Sequence, residues 1–150
     1  MIKIKFNLNK VAAIVVCLLA ASIFFACERG AVHNHNYIVL DNYGFMVMRE
    51  DLGKNTWSGA RAMCGQVRVG GFSDWRLPTL EELAILYYER NRIGGFDIYN
   101  NTKYWSSIPS DLGEFYMCQN FTNGVVGHHL DMFNQQPLAI RCVRSIFPLP

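Results

Sequence analysis

The spacing of apolar residues changes period along this chain, and the changes outline its elements. Tyr37-Ile38-Val39-Leu40 is a short β-type run closed by the turn residues Asp41-Asn42. Gly44 to Met48 reads as a second strand, and Asp51-Leu52-Gly53-Lys54-Asn55 as a turn-rich loop. The period then becomes helical. Trp57, Ala60, Arg61 and Cys64 recur at i, i+3, i+4 and i+7, which predicts a helix from Thr56 to Gln66 with these four on one face. That face directs the Cys64 sulfur toward the core. Val69-Gly70-Gly71 stops the helix. Thr79 and Glu82 then form a T-x-x-E capping box just after Pro78. A second helix is expected from Thr79 to Arg92, with Leu80, Leu83, Ala84 and Tyr87 on its apolar face and Gly94-Gly95 at its end. After Asn100-Asn101 the pattern turns to β. Strands are expected at Tyr104–Ser107, Phe115–Phe121, Val125–Met132 and Leu138–Arg144, with a tight Thr122-Asn123-Gly124 turn between the second and third. Helices ahead of a late antiparallel meander predict an α+β fold.

The N-terminus reads as an export signal over residues 1–26. Lys3, Lys5 and Lys10 form a basic head, and Val11 to Ala26 is unbroken apolar and small sequence. That run is shorter than the roughly 20 residues a membrane-spanning helix needs. It ends Phe24-Phe25-Ala26-Cys27, where a small residue before cysteine suits a lipoprotein signal peptidase. Cys27 is therefore the expected lipidation site, with residues 27–36 as a tether and 37–150 as the folded domain. Acyl chains there would hold the protein on a membrane at about 0.8 kcal/mol per buried CH₂. The implied location is the envelope of a bacterial cell, at the outer membrane or cell surface.

The leader also alters the charge. The whole chain has 14 Lys+Arg and 12 Asp+Glu. The leader takes three lysines and no acid, leaving eleven bases against twelve acids. With no basic surplus to attract phosphates, nucleic acid is not an expected partner.

Cys17 departs with the leader, leaving Cys64, Cys118 and Cys142 as thiols of an exported domain. Three thiols allow three single bridges, and the compartment permits one. No CxxC, HExxH or Gly-rich phosphate loop occurs. His33 and His35 lie on the tether without a third ligand. His128 and His129 are adjacent in a predicted strand, so their side chains point to opposite faces, one exposed and one packed. No metal or other cofactor is expected. Asp74-Trp75-Arg76 groups an acid, a ring and a base. It reads better as a core tryptophan flanked by residues that satisfy nearby backbone groups.

Thr56-Trp57-Ser58-Gly59-Ala60-Arg61-Ala62-Met63-Cys64, Asp74-Trp75-Arg76-Leu77-Pro78-Thr79-Leu80-Glu81-Glu82-Leu83, Tyr104-Trp105-Ser106-Ser107 and Ile140-Arg141-Cys142-Val143-Arg144 occur in this order. Together they resemble the Lcl C-terminal domain family, part of the wider C-type-lectin-like fold, from about Gly44 to Arg144. The resemblance implies two helices packed on a small antiparallel sheet with long loops. It implies a Cys64–Cys142 disulfide between the first helix and the final strand, which would contribute roughly 4 kcal/mol in the chain-entropy model. Cys118 is then the odd one, read first as a buried thiol behaving as a small hydrophobe, with intermolecular pairing, an alternative bridge or a reactive thiol as the other readings. The calcium signature of sugar-binding lectins is not matched, since Gln136-Pro137-Leu138 keeps only Gln-Pro and no Trp-Asn-Asp occurs. The paired late cysteines of formylglycine-generating enzymes are not matched either, because Cys142 is committed to the bridge.

Ser107 to Gln136 is low in charge and rich in adaptable contact residues. It also resembles the variable segment of proteins diversified by retroelements. Tyr116, Asn120, His128, His129, Asp131 and Phe133 are the expected ligand residues. The expected function is a surface adhesion or binding module for an extracellular protein or glycan, without metal and not an enzyme. The alternatives are a structural subunit of an appendage or envelope complex and, more remotely, an enzyme like the formylglycine generators.

Overall fold

The computed structural model describes residues 36–130 and 136–147, all within the unit His35–Pro150. The leader, Cys27, His33, His35, Asp131 and Phe133 lie outside the described residues. The elements are β1 (Tyr37–Leu40), β2 (Phe45–Met48), β3 (Lys54–Asn55), α1 (Trp57–Gln66), α2 (Leu80–Ile93), β4 (Lys103–Pro109), β5 (Phe115–Asn120), β6 (Val126–Leu130), β7 (Leu138–Ala139) and β8 (Val143–Ser145). Two helices with two sheets make the domain α+β, as the sequence predicts.

Both helices start where their caps dictate. The Thr56 side chain accepts from the Gly59 amide at 3.2 Å. At α2 the box closes in both directions: Glu82 N–H donates to Thr79 Oγ1 at 3.2 Å, and Thr79 N–H donates to Glu82 Oε2 at 2.8 Å. Glu81 and Glu82 in the first turn, with Arg90 and Arg92 in the last, oppose the helix dipole. The buried faces differ in detail from the expected ones. α1 buries Ala60 and Cys64, while Arg61 is exposed. A guanidinium stays in water more cheaply than it desolvates, and Arg61 lies over the Trp57 ring instead, 5.7 Å from its centre. α2 buries Leu83, Leu86 and Ile93, leaving Ala84 exposed.

The sheets have orders β1-β2-β8 and β3-β7-β4-β5-β6. The expected final strand, Leu138–Arg144, is in fact two strands serving different sheets. β7 pairs antiparallel with β3 and parallel with β4, so the larger sheet is mixed. β8 pairs with β2. Between them the backbone bonds to the end of β2 and the segment after it: Met48 N–H to Cys142 O at 3.0 Å, Leu52 N–H to Ile140 O at 2.9 Å, and Ile140 N–H to Gly53 O at 3.1 Å. Ile140, Arg141 and Cys142 are all buried. A run buried on every side has no alternation to mark where one strand stops.

β4 divides the core. Its neighbours Tyr104 and Trp105 point to opposite faces. Tyr104 packs with Leu40, Phe45, Leu83, Leu86 and Phe121 under α2. Trp105 packs with Ala60, Cys64, Trp75, Leu77 and Ile140 beside α1. Trp75 and Leu77 are held there by paired backbone bonds between Arg76 and Val143, both 2.9 Å. The flanking charges do more than serve backbone groups. Asp74 accepts two bonds from Arg144, at 2.7 and 2.9 Å, and Arg76 makes a two-pronged pair with Glu82 at 2.7 and 2.8 Å. The expected Cys64–Cys142 disulfide is present, with Cα atoms 5.7 Å apart. Cys118 is a buried free thiol whose pKa burial raises.

Candidate ligand-binding cleft

The proposed ligand residues do not share one surface. Tyr116 and His129 are register partners on β5 and β6 and face the α1 side of the sheet. There four rings form a row. Trp57 stacks on Tyr116 with centres 3.8 Å apart, Tyr116 meets Trp105 edge-on at 6.5 Å, and Trp105 meets His129 at 5.3 Å. Trp57 Nε1 donates to Ser106 O at 2.7 Å and Trp105 Nε1 to Asn55 O at 2.8 Å, so both indoles are fixed. His128 is exposed on the other face, where Nδ1 shares a 2.7 Å hydrogen bond with Ser110 Oγ. The two histidines therefore divide as the strand period requires, one exposed and one packed.

Asn120 is buried and serves the turn. Its Nδ2 donates to Asn101 Oδ1, and its Oδ1 accepts from Thr122 N–H at 2.8 Å. Those bonds assign it to the scaffold rather than to a contact surface. Phe121 beside it is fully buried.

At the His129 end of the ring row lies a cleft of about 410 Å³, lined among others by Lys54, Asn100, Asn101, Lys103, His129 and Gln136. Its walls come from distant sequence. Lys54 is on β3, paired with Ala139 of β7, and Ala139 in turn pairs with Tyr104 next to Lys103. His129 Nε2 donates to the Gln136 carbonyl at 2.9 Å and closes one side. The 97–102 turn closes the other. Asp97 accepts from Tyr99 N–H at 3.1 Å and from the Thr102 hydroxyl at 2.7 Å. The Thr102 hydroxyl bond, with help from the Lys54 charge, holds the Asp97 carboxyl below the ordinary carboxylate range. Asn100 and Asn101 both have left-handed backbones, φ 56° and 59°, which asparagine tolerates better than most residues. Among the described residues neither lysine is in an ion pair. The cleft thus offers two ammonium groups, an imidazole and side-chain amides over an apolar floor of Leu138 and Ala139. Among the described residues no three His, Cys, Asp or Glu side chains converge as metal ligands.

The model of the Lcl C-terminal domain family matches residues 33–144. The chain belongs to the Lcl C-terminal domain family. No curated protein matches it. Among the described residues of this Lcl-type domain, His129 is the one sequence-derived ligand residue that lines the cleft. Lys54, Lys103, Asn100, Asn101 and Gln136 were not legible as ligand residues. The Asn100-Asn101 pair signals a turn, and nothing local indicates that two lysines far apart in sequence meet across β7.

Proposed function

We propose that this Lcl-type domain is a non-catalytic, lipid-anchored binding or adhesion module at the bacterial cell surface, built on a C-type-lectin-like body. The reading is supported by the cleft itself. Two lysines with no ion pair among the described residues, one imidazole and three carboxamides line about 410 Å³ beside the row of rings. Such a donor-rich cleft suits an oxygen-rich, anionic face of a glycan or protein, recognised without metal. The lectin-like reading is supported by the pairing of the first and last described strands into one sheet, β1-β2-β8, and by the disulfide from α1 to the segment before β8. The anchor reading rests on the leader and Cys27.

The test is binding of the full chain to a glycan array and to immobilised host matrix proteins, with the double variant Lys54→Gln/Lys103→Gln alongside. Lost binding with an unchanged melting temperature supports the reading. Undiminished binding by the folded double variant overturns the cleft.

A structural-subunit role has one observation in its favour. Outer strand β6 begins beside exposed Val125 and Val126, 61 % and 45 % accessible, and Leu112 is 61 % accessible. Stoichiometric partners retained on purification from native membranes would favour that role over adhesion.

A further inference from the structure

The ring row has a second end. There a cleft of about 440 Å³ opens between α1 and the strand that follows the second helix, lined by Trp57, Arg61, Arg76, Leu77, Ser107 and Pro109. We propose that it binds a carboxylate carried on a compact apolar body, either a small aromatic acid or the C-terminal residue of a peptide. The site shares no lining residue with the cationic cleft and does not depend on that cleft's role.

The walls are apolar and fixed. The Trp57 ring is held through its Nε1 bond to Ser106 O and its stacking on Tyr116. Leu77 and Pro78 are buried, and Ser107 N–H donates to Pro78 O at 2.7 Å, locking the two sides at their base. Charge then selects the ligand. Two guanidinium groups reach the cleft, but they are not equivalent. Arg76 is consumed: its Nη atoms bond both Glu82 oxygens, Ser145 Oγ at 3.1 Å and Leu77 O at 3.2 Å. Arg61 is exposed and has no ion pair among the described residues. Arg61, which lies over the Trp57 ring, is thus the one cation lining this apolar cleft without a carboxylate partner among the described residues. Its planar fork matches a carboxylate. Trp57, Leu77 and Pro109 would receive the apolar body. A neutral ligand would leave the guanidinium partly desolvated without a partner. A dianion would find only one free cation.

The experiment is an NMR titration of the full chain in detergent with 3-phenylpropionate, compared with 3-phenylpropan-1-ol and with propionate. Saturable shifts of the Trp57 indole and Leu77 methyl signals are expected from the acid. The alcohol and propionate should each bind roughly tenfold more weakly or worse, and Arg61→Gln should weaken the acid by a similar factor. Arg61→Lys should restore part of it, and an unchanged melting temperature should show both variants folded. A Gly-Gly-Phe peptide with a free or amidated terminus separates the sources. Binding of the free-acid peptide assigns the site to peptide ends, and its failure assigns it to small acids. The proposal is overturned if the alcohol matches the acid, if Arg61→Gln leaves affinity unchanged, or if the acid does not saturate at millimolar concentration.

Discussion

Arg141 is the residue on which most separate pieces of this domain converge. It is 1 % exposed, and its guanidinium is fully engaged. Nε donates to Asp51 Oδ1 at 2.6 Å, Nη1 to the carbonyls of Met48, Arg49 and Gly94 at 2.9, 2.8 and 3.3 Å, and Nη2 to Gly95 O. Its face lies 3.8 Å from the centre of Phe96. Tyr104 completes the group by donating to Asp51 Oδ2 at 2.6 Å. Burial raises the Asp51 and Tyr104 pKa values, and in Asp51 it outweighs the attraction of Arg141. Arg141→Leu should therefore cost roughly 3–5 kcal/mol, because it takes the counter-charge from Asp51, leaving it the Tyr104 bond, and removes the donor to four carbonyls. Chemical denaturation would measure it, and a loss within 1 kcal/mol would show the network to be dispensable. Gly95 belongs to the same hub. Its φ is +70°, and a Cβ there would stand 2.3 Å from the Arg49 carbonyl, so Gly95→Ala should be similarly damaging. Residues with one structural use were legible in the sequence: Trp75 as a core ring, Cys64 as an inward sulfur. Arg141 was not. A buried arginine is announced only by its partners, and its partners come from two separate segments, residues 48–51 and 94–96.

At the scale of elements, legibility follows how local the determining forces are. The α2 start was readable because Thr79 and Glu82 satisfy each other's backbone within four residues. Thr79→Ala should cost about 1 kcal/mol, read as a shift in denaturation midpoint without a change in slope. The 97–102 turn supports a pH prediction. The folded-state pKa of Asp97 is lowered, so the unfolded chain binds its proton more readily. Its stabilisation is complete above the ordinary carboxylate pKa of about 3.9 and is lost as pH falls through the lowered value. Asp97→Asn should be the less stable form at neutral pH, and the gap should narrow as pH falls below the ordinary carboxylate range. A gap that persists undiminished in acid would remove the charge from the account. The split of β7 from β8 was not readable, since the hydrogen bonds that divide them lead to residues 48–53. For the same reason the cleft was not readable. Its lysines are brought together by the order β3-β7-β4, a property of pairing that no single segment encodes.

For the whole molecule the disulfide is the link between the parts that local rules build. Cys64 lies on α1 and Cys142 between the two sheets, 78 residues later. Without the bridge, α1 would rest on noncovalent packing, chiefly that of Ala60, Trp57 and Met63 against the core and its contact with the short β3. In the chain-entropy model closing a loop of that length contributes about 4 kcal/mol, a large share of the 5–15 kcal/mol typical of a domain. Reduction should then lower the unfolding free energy by about that amount and loosen the α1 side first. In hydrogen exchange the amides of α1 and β3 should lose protection while those of α2 and β5 keep theirs. Cys118→Ser provides the control. Its thiol makes only a 3.5 Å contact to Gly127 O, so the variant should respond to reductant as the parent does. If α1 and α2 lose protection equally, the two core clusters divided by β4 unfold as one cooperative unit. The ring row beside α1 would then be as stable as the rest of the domain. If only α1 loosens, reduction should weaken ligands in the Trp57 cleft far more than those in the Lys54–Lys103 cleft, because one wall of the former is that helix.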